Sequence, residues 1–153
     1  MTETTNPDVK RIYDSFDRFA KAEWRKKTFW GMKPSEVRAL VSIRDISRKS
    51  DNGATVSEIS KWLCVTSPTV TQIIKSLSSN GCIIRSTDSK DKRTTEIKLT
   101  EKGQQIVQKA TESFNSLFSG LIDVLGKEQS DTLVSLLNQV YAYFEEASKG
   151  QFD

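Results

Sequence analysis

The chain of 153 residues contains no histidine and only two cysteines. The absence of histidine removes the most common general base of enzymes and a common metal ligand. Two cysteines alone also fall short of the four cysteine or histidine ligands of a structural zinc site. No phosphate-binding loop, dinucleotide-binding fingerprint or nucleophile elbow is present. We therefore expect that the chain is not an enzyme and that it holds neither a metal nor a cofactor.

Long hydrophobic runs are also missing, and none approaches the length that spans a membrane. No signal peptide precedes the first predicted helix. Two cysteines do not make a disulfide framework, which favours a reducing compartment. We expect a cytoplasmic protein without a membrane partner, folded as a single domain over residues 1–153 with a sizeable core.

The formal net charge is only +3, but the charges are unevenly distributed. Residues 55–95 carry six basic and three acidic side chains, whereas four lysines oppose eight acidic residues from Glu101 onward. A basic centre followed by an acidic half is typical of a nucleic-acid face with a separate, remote surface.

The centre of the chain predicts two helices joined by a tight turn. Thr55 and Glu58 form a T-x-x-E capping box at the start of the first helix. The chain turns at Cys64-Val65, and Thr66 caps a second helix that tolerates Pro68 in its first turn. This order predicts a helix-turn-helix.

The second helix has one apolar face and an outer face without acidic residues. Its inward side chains at helical spacing are Val70, Ile73, Ile74 and Leu77. The outer face, which would not repel a phosphate, carries Pro68, Gln72, Lys75 and Ser79, flanked by Ser67, Thr69, Thr71 and Ser76. Gly81 suits the left-handed residue that ends such a helix.

A β-hairpin with a basic tip is predicted next, with strands over residues 82–85 and 95–99. The loop between them contains three basic side chains, Lys90, Lys92 and Arg93. Such a loop is either a solvated turn or, beside a helix-turn-helix, a wing that follows a phosphate backbone or enters a minor groove. We favour the wing, and we expect Asp88 and Asp91 to brace its basic side chains.

The chain resembles the MarR family of bacterial transcriptional regulators. Three segments carry the resemblance: VTSPTVTQIIKSLSSNGCI at 65–83, DSKDKR at 88–93 and LTEKG at 99–103. The family's wing commonly reads D-x-R-D-x-R and is followed by a strand and L-T-x-x-G. Asp88, Asp91 and Arg93 match, while Lys90 stands where an arginine is common. The resemblance extends over nearly the whole chain.

The resemblance implies a mostly α fold with a small β-hairpin wing, in which a winged helix-turn-helix head joins a helical dimerisation region. It also implies a homodimer on a pseudo-palindromic operator, and repression released by a small molecule or by oxidation. By similarity, the residues that bind double-stranded DNA are Ser67, Pro68, Thr69, Thr71, Gln72, Lys75, Lys90, Lys92 and Arg93. Two of these, Ser67 and Gln72, stand where the family often has arginine. Because glutamine suits adenine and arginine suits guanine, we expect an AT-leaning site.

The flanks predict long helices with apolar stripes, and we assign the head to 34–100 and the dimerisation region to 7–30 and 101–147. These stripes exceed what a small head can cover, so an intertwined dimer is favoured. The alternative is a monomer whose terminal helices pack on each other.

Aromatic residues near the first helix suggest a pocket for a small aromatic effector, placed beside the head by the family resemblance. Its apolar walls would be Tyr13, Trp24, Phe29 and Trp30, with Phe16 nearby, and a carboxylate would meet Arg25, Lys26, Lys27 or Lys33. The alternative is that these aromatic residues are plain core.

The two cysteines offer an alternative switch. Cys64 stands in the turn where the related pattern usually has glycine, so we expect a positive φ and a thiol near the surface. Cys82 should point into the core of the head. We favour the interpretation that both cysteines are small apolar fillers and not a redox sensor, because no basic residue adjoins Cys64.

The alternative to a DNA-binding regulator is a winged-helix protein-interaction module without specific DNA binding.

Overall fold

The computed structural model describes residues 6–50, 52–87 and 95–151. These residues contain five α-helices and one β-hairpin. The helices are α1 (Pro7–Ala20), α2 (Pro34–Lys49), α3 (Val56–Leu63), α4 (Ser67–Ser79) and α5 (Glu101–Gln151), with a short 3₁₀ helix at Glu23–Arg25. Strands β1 (Ile83–Thr87) and β2 (Thr95–Leu99) pair antiparallel, from Ile83 opposite Leu99 to Thr87 opposite Thr95. The predicted fold, mostly α with a small β-hairpin, is confirmed.

Side-chain caps start the helices where the sequence predicted them. Thr55 and Glu58 form a reciprocal capping box before α3, with a bond of 3.2 Å between the side chain of each and the backbone N–H of the other. The Thr66 hydroxyl oxygen accepts the N–H of Thr69 at 3.4 Å before α4. These bonds satisfy donors that the first turn of a helix leaves open, so the starts of both helices are encoded locally.

The turn between α3 and α4 is a left-handed cap at Cys64, with φ +57° and ψ +44°. The N–H of Val65 donates to the carbonyl of Ser60 at 3.2 Å, and the N–H of Cys64 donates to that of Lys61 at 3.4 Å. This is the Schellman pattern of helix ends. The Ser60 hydroxyl also donates to the Val65 carbonyl. The turn therefore holds α4 at a set angle to α3.

The core of the head lies between α2, α3, α4 and the hairpin, which contact one another. Its largest fully buried apolar side chains are Leu40, Ile43, Ile59, Val70, Ile74, Leu77 and Ile97. Ile73, predicted to point inward, is only half-buried. It lies at the edge of the buried stripe of α4, whose centre is formed by Val70, Ile74 and Leu77.

The first strand begins one residue later than predicted, at Ile83. The N–H of Cys82 donates to the carbonyl of Leu77 at 3.0 Å, so this residue still closes the end of α4. β2 also bonds to the segment before α3, because Ala54 and Ile97 exchange two backbone hydrogen bonds of 2.8 and 2.7 Å. The hairpin is thereby attached to the start of the helix-turn-helix.

Residues Met1–Gln108 and Lys109–Asp153 form two compact units. In the second unit Gly126 interrupts α5 with φ +80°. The apolar side chains of this unit are largely exposed in the single chain, among them Phe114, Leu117, Phe118, Leu121, Leu136, Leu137, Tyr141 and Phe144. In the first unit, α1 exposes its own apolar stripe, with Ile12 62% and Phe19 63% accessible. Across the described ranges, no helix combines the length and apolarity needed to cross a membrane.

Candidate nucleic-acid interface

The outer face of α4 is solvent-exposed along its length. Six predicted contact residues lie on it and all are exposed: Ser67, Pro68, Thr69, Thr71, Gln72 and Lys75. They share the surface because α4 buries Val70, Ile74 and Leu77 against the head, which turns the rest of the helix to solvent. The first turn of α4 contains no acidic residue. This face can therefore approach a polyanion without charge repulsion.

Three threonines at the start of α4 are held by hydrogen bonds. The hydroxyls of Thr66 and Thr69 lie 2.8 Å apart and share a hydrogen bond. The Thr71 hydroxyl donates to the carbonyl of Ser67 at 3.0 Å. These bonds fix the rotamers of Thr69 and Thr71, so each presents a defined combination of methyl group and oxygen. Threonine can contact a thymine methyl group or hydrogen-bond a base edge.

Gln72 and Lys75 extend from the middle of the same face. Neither side chain has a hydrogen-bond or ion-pair partner within the described residues. An unengaged amide carries donors and an acceptor together, and an unengaged ammonium is a mobile positive charge. The pair can therefore combine base recognition with phosphate attraction.

Ser76, predicted to flank the outer face, forms a bond into the head instead. Its hydroxyl donates to the Glu36 carboxylate of α2 at 2.8 Å, and Glu36 is 8% exposed. Glu36 is a functional candidate that the sequence did not reveal, because the two residues lie 40 positions apart. The only sequence signal was an acidic residue in the first turn of a helix, which is typical of an ordinary cap.

A shallow groove of about 600 Å³ runs between the end of α4 and β1. Its lining residues are Lys75, Ser78, Ser79, Ile83, Ile84 and Arg85. The groove places Arg85, for which the sequence predicted only a place in the strand, beside the predicted contact Lys75. In the sequence, the only indication of this role is that Arg85 directly follows the apolar residues Ile83 and Ile84 of the strand. Two cations and two serines along one groove form a surface suited to phosphate groups.

The predicted wing tip lies outside the described residues. This applies to Lys90, Lys92 and Arg93 as DNA contacts and to Asp88 and Asp91 as their bracing partners. The strands on either side of the tip are paired, so the hairpin itself is present. The contacts of the tip remain predictions.

Of the four aromatic candidates for an effector site, two pair with each other and a third pairs with Phe19. Trp24 meets Phe19 edge-on, with ring centroids 6.4 Å apart, and Phe29 lies 6.0 Å from Trp30. Trp30 has a φ of +51° in the tight turn that pairs Phe29 with Met32, and it is 50% exposed. Tyr13 is exposed on α1. Phe29 and Trp30 are thus brought together by the turn.

Two of the cations expected to receive a carboxylate are already engaged. Arg25 donates to the carbonyl of Phe19 at 3.3 Å, and Lys26 pairs with Glu23 at 3.6 Å. Lys27 and Lys33 are exposed. These two remain the candidates for a ligand carboxylate.

The cysteines lie where the sequence predicted them. Cys64 is exposed, and Cys82 is buried with 1% of its surface accessible. Burial raises the pKa of the Cys82 thiol, while nearby Lys102 lowers it and Glu36 raises it further. No group of histidine, cysteine or acidic side chains suited to a metal ion occurs in the described part of the chain.

The central residues match known proteins. The MarR family model matches residues 33–95. The HTH-type transcriptional regulator Hpr of Bacillus cytotoxicus is 32% identical over 97 residues, which are 58% of this chain and 52% of Hpr. The HTH-type transcriptional regulator FarR of Neisseria gonorrhoeae is 28% identical over 98 residues, 63% of this chain and 67% of FarR. The match to Hpr thus spans about half the length of that relative.

Solved structures share the fold over most of the chain. A DNA complex of MepR from Staphylococcus aureus is 20% identical with a TM-score of 0.66, covering 93% of this chain and 99% of MepR. Streptococcus pneumoniae FabT in complex with DNA is 24% identical with a TM-score of 0.65, and the match covers 92% of this chain and 94% of FabT. Residues 33–95 thus match the MarR family model, and the chain shares its fold with these solved structures.

Proposed function

We propose that this protein is a transcriptional regulator that binds double-stranded DNA with α4 in a major groove. The observation that carries the proposal is the exposed, acid-free face of α4, where Gln72 and Lys75 have no side-chain partner among the described residues. An α-helix fits the major groove, where each base pair presents a distinct pattern of donors and acceptors. The DNA complexes of the similar proteins MepR and FabT support the proposal.

Within this interface, we assign base recognition to Gln72 and to the exposed start of α4, formed by Ser67, Pro68, Thr69 and Thr71. Lys75 and Arg85, which line one groove, would contact phosphates. Lys90, Lys92 and Arg93 would extend these contacts along the backbone or into a minor groove. Phosphate contacts supply affinity without sequence information, whereas base contacts discriminate sites. Because Gln72 suits adenine, the site should be AT-leaning.

The protein should act as a homodimer on a pseudo-palindromic operator. Support comes from the exposed apolar residues of α1 and of α5 from Lys109 onward. Exposed apolar stripes of this length are uncommon on soluble monomers and mark an interaction site. The dimerisation region would comprise residues 7–30 and 101–147, and the head residues 34–100. Two heads related by a twofold axis would read half-sites about 10 base pairs apart, one turn of DNA.

Selection of duplexes from a random pool tests DNA binding with no operator chosen in advance. The full-length protein should enrich an inverted repeat, and its affinity should fall steeply as the salt concentration rises, because counterions are released from the phosphates. Failure to enrich any sequence at low salt would contradict the proposal. Such a result would favour the use of the winged fold for protein interaction instead.

We further propose that a small aromatic acid controls this protein. The protein would act as a repressor, and the bound acid would release it from DNA. The exposed Trp30, held at positive φ beside Phe29, offers a ring surface, and Lys27 and Lys33 offer positive charge. The similar protein MepR has been solved with bound ethidium bromide. A ligand releases DNA only if it binds the two states with different affinity. Aromatic acids that neither quench tryptophan fluorescence nor release the selected duplex would contradict this mechanism.

A further inference from the structure

The carboxylate of Glu36 joins two helices of the head. Its Oε1 accepts the backbone N–H of Lys33 at 3.0 Å, and its Oε2 accepts the hydroxyl of Ser76 at 2.8 Å. Glu36 is 8% exposed. A carboxylate in such a place is destabilising unless its oxygens are hydrogen-bonded, and here both oxygens have a partner.

The two bonds have different consequences. The bond to Lys33 belongs to the N-terminal capping of α2 and would form with one oxygen alone. The bond to Ser76 reaches a residue 40 positions away, on α4. Capping of α2 therefore does not account for the second bond. An apolar side chain at position 36 would pack in the same space without a directional contact to α4.

Ser76 directly follows Lys75 and lies one helical turn after Gln72. Rotating α4 about its axis, or sliding it along that axis, would break the bond to Glu36. The same movements would change where Gln72 and Lys75 lie relative to a base edge. The apolar contacts of Val70, Ile74 and Leu77 resist such movements less sharply, because hydrophobic packing is not directional.

We propose that Glu36 is a positioning residue that sets the orientation of α4 for sequence discrimination. Glu36 does not contact DNA itself and acts through Ser76. The inference rests on the proposed DNA-binding function. Loss of the Glu36–Ser76 bond should lower discrimination between sequences, while phosphate contacts, which tolerate small displacements, should persist.

The test measures the affinity of the full-length protein for a duplex that the wild type selects and for a scrambled duplex of equal length and composition. Ser76→Ala removes the bond between the helices and leaves the α2 capping bond in place. We expect the ratio of the two affinities to fall about tenfold, the scale of a hydrogen bond to a charged group, with little change in affinity for the scrambled duplex. Circular dichroism and thermal unfolding would establish that the variant is folded.

Ser42→Ala is the matched control. It removes a hydroxyl from α2, the other helix of the pair, but that hydroxyl donates to the carbonyl of Ala39 within α2, at 2.6 Å. We expect the affinity ratio to stay at the wild-type value. Glu36→Ala should lower the affinity ratio, whereas Glu36→Gln should keep most of it. The glutamine side-chain oxygen can accept the N–H of Lys33, and its NH₂ group can donate to the hydroxyl of Ser76.

The outcomes separate the two proposals. If the wild type discriminates between the duplexes and Ser76→Ala discriminates equally well, Glu36 is only a structural residue and the inference is wrong. If Ser76→Ala weakens both affinities in proportion, the bond serves folding alone, which also overturns the inference. A wild type that binds both duplexes with equal affinity would refute sequence-specific DNA binding, and the role of Glu36 in it would fall as a consequence.

Discussion

The hydroxyl of Thr100 donates a hydrogen bond of 2.6 Å to the carbonyl of Gly81. The same hydroxyl oxygen accepts the N–H of Gly103 at 3.2 Å, and the N–H of Thr100 donates to the carbonyl of Cys82 at 3.0 Å. The L-T-x-x-G segment thus ties the end of α4 to the start of α5. Thr100 and Gly103 therefore have a structural role in the head, because these bonds hold the two segments together. Neither residue is a candidate contact to DNA.

Gly103 is required by close packing. A Cβ atom at this position would overlap the carbonyl oxygen of Cys82, which belongs to the backbone and cannot move away easily. We expect Gly103→Ala to lower the free energy of unfolding by about 3 kcal/mol, the upper range for overpacking. Urea denaturation followed by circular dichroism measures the change.

Gly120→Ala is the control for that substitution. A Cβ atom at Gly120 meets nothing within 4 Å, and the residue lies within α5. Because glycine is a poorer helix former than alanine, this change should raise the free energy of unfolding by about 0.5–1 kcal/mol. Equal effects of the two substitutions would show that the contact between Gly103 and Cys82 is not tight.

Cys64 occupies a left-handed conformation that strains any residue with a Cβ atom. The strain amounts to about 1–2 kcal/mol, and glycine's greater freedom in the unfolded chain offsets part of it. We expect Cys64→Gly to raise the free energy of unfolding by about 0.5 kcal/mol. Cys64→Ala, which keeps the Cβ atom, should produce no such gain. A gain from alanine equal to that from glycine would place the cause in the thiol and not in the backbone.

The two thiols should differ in reactivity. Cys64 is exposed, whereas burial raises the pKa of the Cys82 thiol and so lowers its thiolate fraction near neutral pH. Iodoacetamide at mildly alkaline pH should therefore modify Cys64 first, as measured by mass spectrometry of peptides, while both react after denaturation. Comparable rates in the folded protein would contradict the buried position of Cys82. We also expect that Cys64→Ser binds DNA normally and that mild peroxide does not release DNA.

Gln72 and Lys75 should contribute to DNA binding in different ways. Gln72→Ala should reduce the preference for the selected duplex, because a glutamine–adenine pair contributes about 1–3 kcal/mol of discrimination. Lys75→Ala should weaken binding to all duplexes and reduce the salt slope by about 0.9. Lys149→Ala removes the same charge near the end of α5, beside Glu146, and should leave both quantities unchanged. An unchanged salt slope for Lys75→Ala would exclude Lys75 as a phosphate contact.

Dimerisation should depend on the apolar side chains that the single chain exposes. Leu117 is 61% accessible on α5, and Leu117→Lys would place a charge in the proposed interface. We expect this variant to shift toward the monomer in sedimentation equilibrium, since an unpaired buried charge is strongly destabilising. Ser116→Lys adds the same charge at the neighbouring exposed position and should be tolerated better. A wild type that is monomeric at micromolar concentration would refute the dimer.

The local elements of the head followed from the sequence because their signals are local. The capping box of Thr55 and Glu58 and the left-handed cap at Cys64 each involve residues a few positions apart, and both were confirmed. β2 was also confirmed over Thr95–Leu99. The start of β1 was wrong by one residue, because the bond from Cys82 to Leu77 depends on how α4 ends and not on strand propensity.

The sequence by itself determined the winged helix-turn-helix order, the acid-free outer face of α4 and the long apolar stripes of the flanking helices. Periodicity, caps and charge are properties of neighbouring residues, so a single chain displays them. Only the tertiary structure decided that Ser76 bonds to Glu36, that Arg85 shares a groove with Lys75 and that Gly103 packs on Cys82. These contacts join residues distant in sequence, and their partners are set by packing directions that no local pattern encodes.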